Sequence, residues 1–592
     1  AVSRLYDRSG GNPLFLLELA HVGDGELPTS IVEAVRRRSA ALGPAASTVR
    51  VAALLGLDID LDLLTACCRR PVAEVLDHIE VAMAHGLLVD EAAGLRFRHD
   101  VVREALVAGT TDSVRAFVHR EASVQLSARP DRSPLDAAHH AERGGTEAVA
   151  ADAFLEGAQV AMDRFEAEVA TELLDRAIAR VDSCGARVAR ARVHLTRRDL
   201  HSAHADIEAA LHLDRSPDAL GLAGWIAYYR RDYPAASAFA SEALQTAASP
   251  ELRASAATLE GRVRHSQGDL DGALACLEPV VAAADDGVEY PTSGVARVWL
   301  AAVLTHRGRA GEALEMLDSA GDPHALRSHP FATAHALFVR CHAAGIAGDL
   351  SAAYRAADAL HDHAHHTGVA GVRFRPFACN MRAWLERSVG NFGRAGELSE
   401  HALLDAVDAS FEEPATHARL DQVELLLARQ RFDAAADMLR VAREGFSATS
   451  TMAWHLHQRM LLLTGRLALF TGDPDRAALA AHELAVDAGS RSSERYGVLA
   501  WQLRLLTDAT VSHSLPDAEL DTLLPALDRL AALDGWWLIA ELAAASDIDR
   551  LWSEAESRSL ALSARAAEVA HLDPHAVRAW MGSTIDGLRR RS

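Results

Sequence analysis

Five metal-ligating side chains crowd into six residues: His361, Asp362, His363, His365 and His366. On a helix His361 and His365 lie one turn apart on one face. Asp362 and His366 pair the same way on the neighbouring face, a spacing at which two side chains can share a zinc ion. No ligand from a second segment is identifiable, and the run precedes Gly368, so the same residues read equally as the frayed polar end of a helix. A metal-dependent enzyme is one reading; no metal ligand is assigned. His139-His140 is a shorter pair of the same kind. All 60 basic residues are arginine, with no lysine anywhere. A P-loop, a kinase strand and a Schiff base each need a lysine, so this chain alone can build none of them. No Ser-His-Asp set, nucleophile elbow or paired-carboxylate pattern stands out among the 82 acidic residues. No catalytic residue is assigned, and the chain is not expected to be an enzyme.

The net charge is −22. Residues 1–130 carry 14 Arg against 17 acidic residues, and the excess of acid lies beyond them. No large block is basic, so neither nucleic acid nor an anionic membrane has a global footprint here. Arg36-Arg37-Arg38 and Arg69-Arg70 are short basic runs, but residues 71–86 between them and the next element hold three acids and no arginine. DNA contact is expected only through a domain outside this chain. Six cysteines, at 67, 68, 184, 276, 341 and 379, show no CxxC spacing. They fit free thiols in a reducing cytoplasm. No apolar run approaches ~18 residues, so no membrane span is expected.

The elements that must position these residues are helices. Alanine, leucine, arginine and glutamate dominate, with apolar positions at helical spacing. From about residue 150 a pattern recurs. Turns such as Arg231-Asp232-Tyr233, Gly268-Asp269-Leu270, Gly348-Asp349-Leu350, Gly390-Asn391-Phe392 and Gly472-Asp473-Pro474 are each followed by an alanine. Those alanines set a register: 170, 203, 236, 273, 313, 353, 395, 435 and 477. Twelve residues earlier stand Ala158, Ala191, Gly224, Gly261, Ala301, Cys341, Ala383, Val423 and Gly465, small in all but one case. Alanine returns seven residues after the anchors at 177, 210, 243, 320, 402 and 442. Small residues let two antiparallel helices approach, and a hairpin that cannot bury its own apolar face stacks on copies of itself. Each repeat is expected to contact mainly its neighbours. The register is similar to tetratricopeptide (TPR) repeats, with Gly224, Asp232, Tyr233, Ala236 and Ala243 the fullest match. Past residue 500 the pattern blurs into helices near 517–533, 535–546, 549–570 and 574–590, with Trp536, Trp537 and Trp552 as core.

The first 130 residues are organised differently. Helices are expected near 28–41, 44–55, 60–68 and 71–86, then a β-hairpin from Gly86–Asp90 and Gly94–Arg98, then a helix from Asp100. Three helices followed by a hairpin is a winged-helix order. Gly10-Gly11-Asn12-Pro13-Leu14-Phe15-Leu16-Leu17-Glu18-Leu19, then Leu27-Pro28, Gly86-Leu87-Leu88 and Arg96-Phe97-Arg98-His99-Asp100-Val101-Val102-Arg103-Glu104-Ala105-Leu106, together resemble the large LuxR-type ATP-dependent regulators of actinobacteria, which belong to the STAND class. The resemblance implies an all-α fold: a TPR-like α-solenoid preceded by a small helical, winged-helix domain with one short β-hairpin. It implies residues 1–27 as the end of an ATPase helical subdomain, 28–130 as the winged helix, 150–500 as about nine TPR-like repeats and 501–592 as a C-terminal helical cap. It also implies nucleotide contacts at Gly11 and Pro13, on the adenine side, and at His99, toward the β-phosphate of ADP. A glycine admits close backbone approach, a proline offers a donor-free surface, and an imidazole can donate to phosphate.

The P-loop core and the LuxR helix-turn-helix of that family are both absent from these 592 residues. The chain, which starts at Ala1 rather than Met, is expected to be a regulatory portion with no cofactor of its own, ATP or ADP belonging to the parent. Its expected partners are a protein or small-molecule effector in the solenoid groove and the ATPase domain of the same protein. A free-standing TPR scaffold for protein assembly is the alternative.

Overall fold

The computed structural model describes residues 28–91, 94–129, 133–164, 166–319, 331–366, 372–447, 451–546 and 548–590. Among them are thirty helices and one two-stranded sheet, an all-α fold. Contacts divide the chain into two compact units, one holding the residues up to 193 with 205–213, the other holding 194–204 and the residues from 214 onward. None of the helices described is long and apolar enough to cross a membrane.

The first unit opens with α1 (Thr29–Ala40), α2 (Ala45–Leu55), α3 (Leu61–Cys68) and α4 (Val72–Ala84). The hairpin β1 (Leu88–Glu91) and β2 (Gly94–Phe97) follows, with Leu88 opposite Phe97, and then α5 (Asp100–Ala108). Leu57 and Ile59 add backbone bonds to the hairpin: Phe97 N donates to Leu57 O at 3.0 Å and Ile59 N to Leu95 O at 2.9 Å. Val49, Leu64, Leu87, Phe97 and Val101 close the core of this part. Further helices are α6 (Asp112–Ser127), α7 (Pro134–Gly144), α8 (Glu147–Asp163) and α9 (Ala167–Arg180), followed by α10 (Cys184–Thr196) and α11 (Leu200–Leu213), whose residues are shared between the two units. His119 and His140 meet between α6 and α7, Nδ1 to Nδ1 at 2.8 Å, so one ring donates and the other accepts. Burial holds their proton affinities down, to about 3 and about 4.

The second unit is a TPR-like solenoid of helical hairpins. Its helices are α12 (Pro217–Tyr229), α13 (Tyr233–Thr246), α14 (Pro250–Gln267), α15 (Leu270–Asp285), α16 (Ser293–His306), α17 (Ala310–Ser319), α18 (Ala332–Ala347), α19 (Leu350–His366), α20 (Arg375–Ser388), α21 (Phe392–Asp408), α22 (Glu412–Ala428), α23 (Phe432–Glu444), α24 (Ala453–Phe470), α25 (Pro474–Arg491), α26 (Glu494–Ser512), α27 (Asp517–Leu530), α28 (Gly535–Ser546), α29 (Asp549–Ala566) and α30 (Pro574–Arg589).

The small-residue register has the packing role expected of it. All nine anchor alanines are fully buried. A Cβ on Gly261 would stand 2.6 Å from Leu277, and one on Gly224 or Gly465 would strike Leu259 or Leu503. Ala320 lies outside the described residues. The hairpin turns work as the sequence implies. Gly268, Gly348 and Gly472 take positive φ, and the following Asp269, Asp349 and Asp473 accept backbone N–H bonds that cap the next helix. At Ser216 and Ser249 the serine hydroxyl caps a helix whose first residue is proline.

Repeats of the second unit pack mainly against their neighbours, and the solenoid also winds tightly enough for successive coils to touch. Trp454 Nε1 donates to His265 O at 3.1 Å, Arg491 Nη1 to Gln267 O at 3.0 Å and Arg565 Nη1 to Gly348 O at 2.7 Å. Tyr233 OH donates to Thr451 Oγ1 at 2.8 Å. These bonds span 189 to 224 residues, about one superhelical turn. The turn at Gly390 rests on Trp580, and that at Gly308 on Leu530. The C-terminal helices therefore lie beneath earlier repeats as well as extending them. Trp536 and Trp552 are core, while Trp537 lines a cavity instead.

Candidate functional site

Inner helices of the second unit turn polar and aromatic side chains onto an enclosed space of about 180 Å3. Each presents a stripe at helical spacing: Asn380, Trp384 and Arg387 from α20, His417, Asp421 and Glu424 from α22, His455, Arg459 and Arg466 from α24. Four guanidiniums meet four carboxylates there. Arg387 reaches Glu424 at 2.7 Å, and Arg459 reaches Glu424 at 2.8 Å and also pairs with Asp421. Arg466 pairs with Glu541 at 2.5 Å and Arg495 with Asp534 at 3.7 Å. Burial pushes Asp421, Glu424 and Glu541 toward protonation. At Glu424 the flanking Arg387 and Arg459 outweigh it and hold the group at about 2, whereas at Asp421 and Glu541 burial prevails. Arg387 Nε, Arg495 Nε, Asn380 Oδ1 and Glu541 Oε2 are buried and make no hydrogen bond among the described residues. Buried polar atoms are normally partnered, so this wall is suited to a ligand that offers both donors and acceptors.

His342 also lines a second space, of about 80 Å3. Aromatic rings make most of its wall, with Arg262, Arg373 and Glu413 among them. Arg262 lies over the Trp299 ring at 4.1 Å and Arg373 over Phe411 at 4.3 Å. Between the two spaces the imidazole of His306 meets His342 and His455 edge-on, with centroids 5.5 and 5.2 Å apart, and lies tilted against His265 at 5.2 Å. Burial lowers His306 to about 4 and His417 to about 3, and puts His265, His342 and His455 well below the usual range. All are neutral near pH 7.

The residues singled out from the sequence lie elsewhere. His361 and His365 do stack, with centroids 4.3 Å apart, but both are exposed at the end of α19. His366 Nδ1 is 2.7 Å from the Asp362 carbonyl, an ordinary i, i+4 contact. Among the described residues no group of three His, Cys, Asp or Glu stands at metal-holding spacing. Gly11 and Pro13 lie outside the described residues. His99 is at the N-terminus of α5, half-buried, and burial together with Arg98 and Arg38 lowers its proton affinity. The inner-wall residues were missed although the register pointed at them: Arg262, His342, Glu424 and Arg466 each follow directly after a small-residue anchor position.

No family model matches the chain, and no curated protein is significantly similar to it. Solved structures share helical-repeat stretches with it at low identity. A tetratricopeptide repeat protein from Parabacteroides merdae is 15% identical over 48% of this chain and 98% of its own, with a TM-score of 0.31. A signal transduction ATPase with numerous domains (STAND) and a tetratricopeptide repeat sensor, from Pyrococcus horikoshii, is 16% identical over 83% of this chain and 71% of its own, with a TM-score of 0.29. The APC/C hetero-tetramer Cut9–Hcn1 is 13% identical over 77% of this chain and 98% of its own, with a TM-score of 0.30.

Proposed function

We propose that this chain is the regulatory and sensor portion of a cytoplasmic STAND-type signal-transduction ATPase and transcriptional regulator. The solenoid binds an effector, and the first unit, read as a winged helix over 28–130, couples that event to nucleotide state. One observation carries the sensor role: Arg387, Arg495, Asn380 and Glu541 line one cavity of the second unit, and each carries a buried polar atom with no hydrogen bond among the described residues. A small polar effector suits it better than an extended peptide, because the cavity is only about 180 Å3 and its wall carries charged and amide side chains.

The coupling role rests on the sequence resemblance and on the surroundings of His99. Arg38 and Arg98 stand close enough to disfavour its protonated form, and two guanidiniums beside an imidazole suit a phosphate. In a protein carrying the ATPase core, His99→Ala is expected to speed nucleotide exchange about 10–150-fold, the worth of one charge-assisted hydrogen bond made in the closed state only. Unchanged exchange in a folded variant would remove His99 from the mechanism. The chain alone is expected neither to hydrolyse ATP nor to hold ADP tightly, which calorimetry and phosphate release would check.

The sensor role is tested by thermal-shift titration of the full chain against a panel of small polar metabolites. A saturable stabiliser whose effect is lost in Arg495→Met is expected. Binding of folded proteins or peptides alone, with no small molecule acting through the wall, would return the chain to the scaffold reading.

A further inference from the structure

The smaller cavity treats charge in an unusual way. Arg262 is 6% exposed, its Nε has no hydrogen-bond partner, and one of its other nitrogens meets His265 Nδ1 at 2.9 Å. Arg373 lies between the rings of Phe411 and Tyr229. Among the described residues neither guanidinium has a carboxylate within ion-pairing distance, although the chain holds 82 acidic residues. Burying a cation without a counter-ion at ion-pairing distance is costly. Glu413 is the acid on this wall, and burial raises it to about 7 against the pull of Arg262, Arg373 and Arg231. Near neutrality the cavity therefore keeps an excess of positive charge inside an aromatic shell.

We propose that this cavity is a receptor for a short aliphatic monocarboxylate, its carboxylate held between Arg262 and Arg373 and its chain against Trp299, Phe338 and Phe377. This rests on reading the inner wall as an effector site and names the effector's chemistry. Size limits the chain length: a cavity of about 150 Å3 takes benzene, so the 80 Å3 here restricts the ligand to the shortest monocarboxylates, with propionate at the upper end. Two guanidiniums supply the charge-assisted donors that a carboxylate uses, and the rings match a tail of one or two carbons.

The test is calorimetric titration of the full chain at pH 8 with sodium propionate, and with propionamide as its neutral isostere. Saturable propionate binding is expected, with propionamide at least tenfold weaker. Arg262→Met should weaken propionate tenfold or more. Glu413→Gln, which removes the competing internal carboxylate, should tighten it several-fold, a gain that a merely damaged fold would not produce. Equal affinity for acid and amide, or propionate binding untouched in Arg262→Met, would overturn the proposal. If metabolites bind through Arg495 while propionate does not bind, this inference falls and the sensor reading stands. If propionate binds through Arg262 while Arg495→Met affects no ligand, the larger cavity loses its role and this inference stands.

Discussion

Two cavities of one solenoid share His342 and treat arginine in opposite ways. In the larger, four guanidiniums are matched by four carboxylates, so each buried charge has a partner and removing one strands another. In the smaller, Arg262 and Arg373 lie on aromatic rings with no ion pair. The larger wall is built into the stability of the fold. The smaller one holds charge that rests on rings and not on carboxylates, and we infer a ligand from it.

The sharpest way to break this contrast is a matched pair of variants. Arg459→Met leaves Asp421 and Glu424 buried beside an apolar chain and is expected to cost about 3–5 kcal/mol in urea unfolding. Arg262→Met breaks no ion pair and should cost about 1–2 kcal/mol, from one hydrogen bond to His265, the contact with Trp299 and a positive neighbour of Glu413. Similar losses from both would mean that Arg262 has a structural partner after all.

Acid sharpens the same contrast. His306 and His417 titrate at about 4 and about 3 in the fold, below the ~6.5 of an unfolded histidine. The unfolded chain therefore takes up more protons below pH 6.5. Stability present at pH 7 is lost as pH falls through 6.5 toward 4, by about 2 kcal/mol per histidine at pH 5. Glu413 works the other way. Its value of about 7 lies above that of an unfolded glutamate, so its penalty is present above pH 7 and fades as pH falls. Urea melts at pH 5, 6 and 7 should show a shallower acid loss in His417→Gln and a steeper one in Glu413→Gln than in the parent.

A third variant tests whether the coils are joined. Gly390 has φ +85 and its Cβ position is occupied by Trp580, so Gly390→Ala should cost about 1–3 kcal/mol by overpacking. Hydrogen exchange should rise in 574–589 as well as in 375–408, although nearly two hundred residues separate them. A rise confined to 375–408 would restore the picture of repeats that sense only their neighbours.

Much of the fold was legible because local rules fix it. Glycine or arginine in the left-handed turn, the aspartate cap after it and the buried alanine beyond are all set within one hairpin. The end helices near 517, 535, 549 and 574 were readable for the same reason. The closure of the coil was not, since Trp454 with His265 and Arg565 with Gly348 are brought together by the summed rotation of several repeats, which no single repeat encodes. The site was missed on similar grounds. His361 to His366 look dense in sequence but lie exposed on one helix end, whereas Arg387, Glu424 and Arg459 come from three helices and converge only in the fold.

The central claim is that the inner helices of the second unit are the sensing surface. Hydrogen exchange across the full chain, with and without the first metabolite found to raise its melting temperature, tests it most directly. Added protection is predicted in 375–388, 412–428, 453–470 and 494–512, the helices that form the wall. Protection confined to residues 28–129 or to the outer helices, with the wall unchanged, would contradict it.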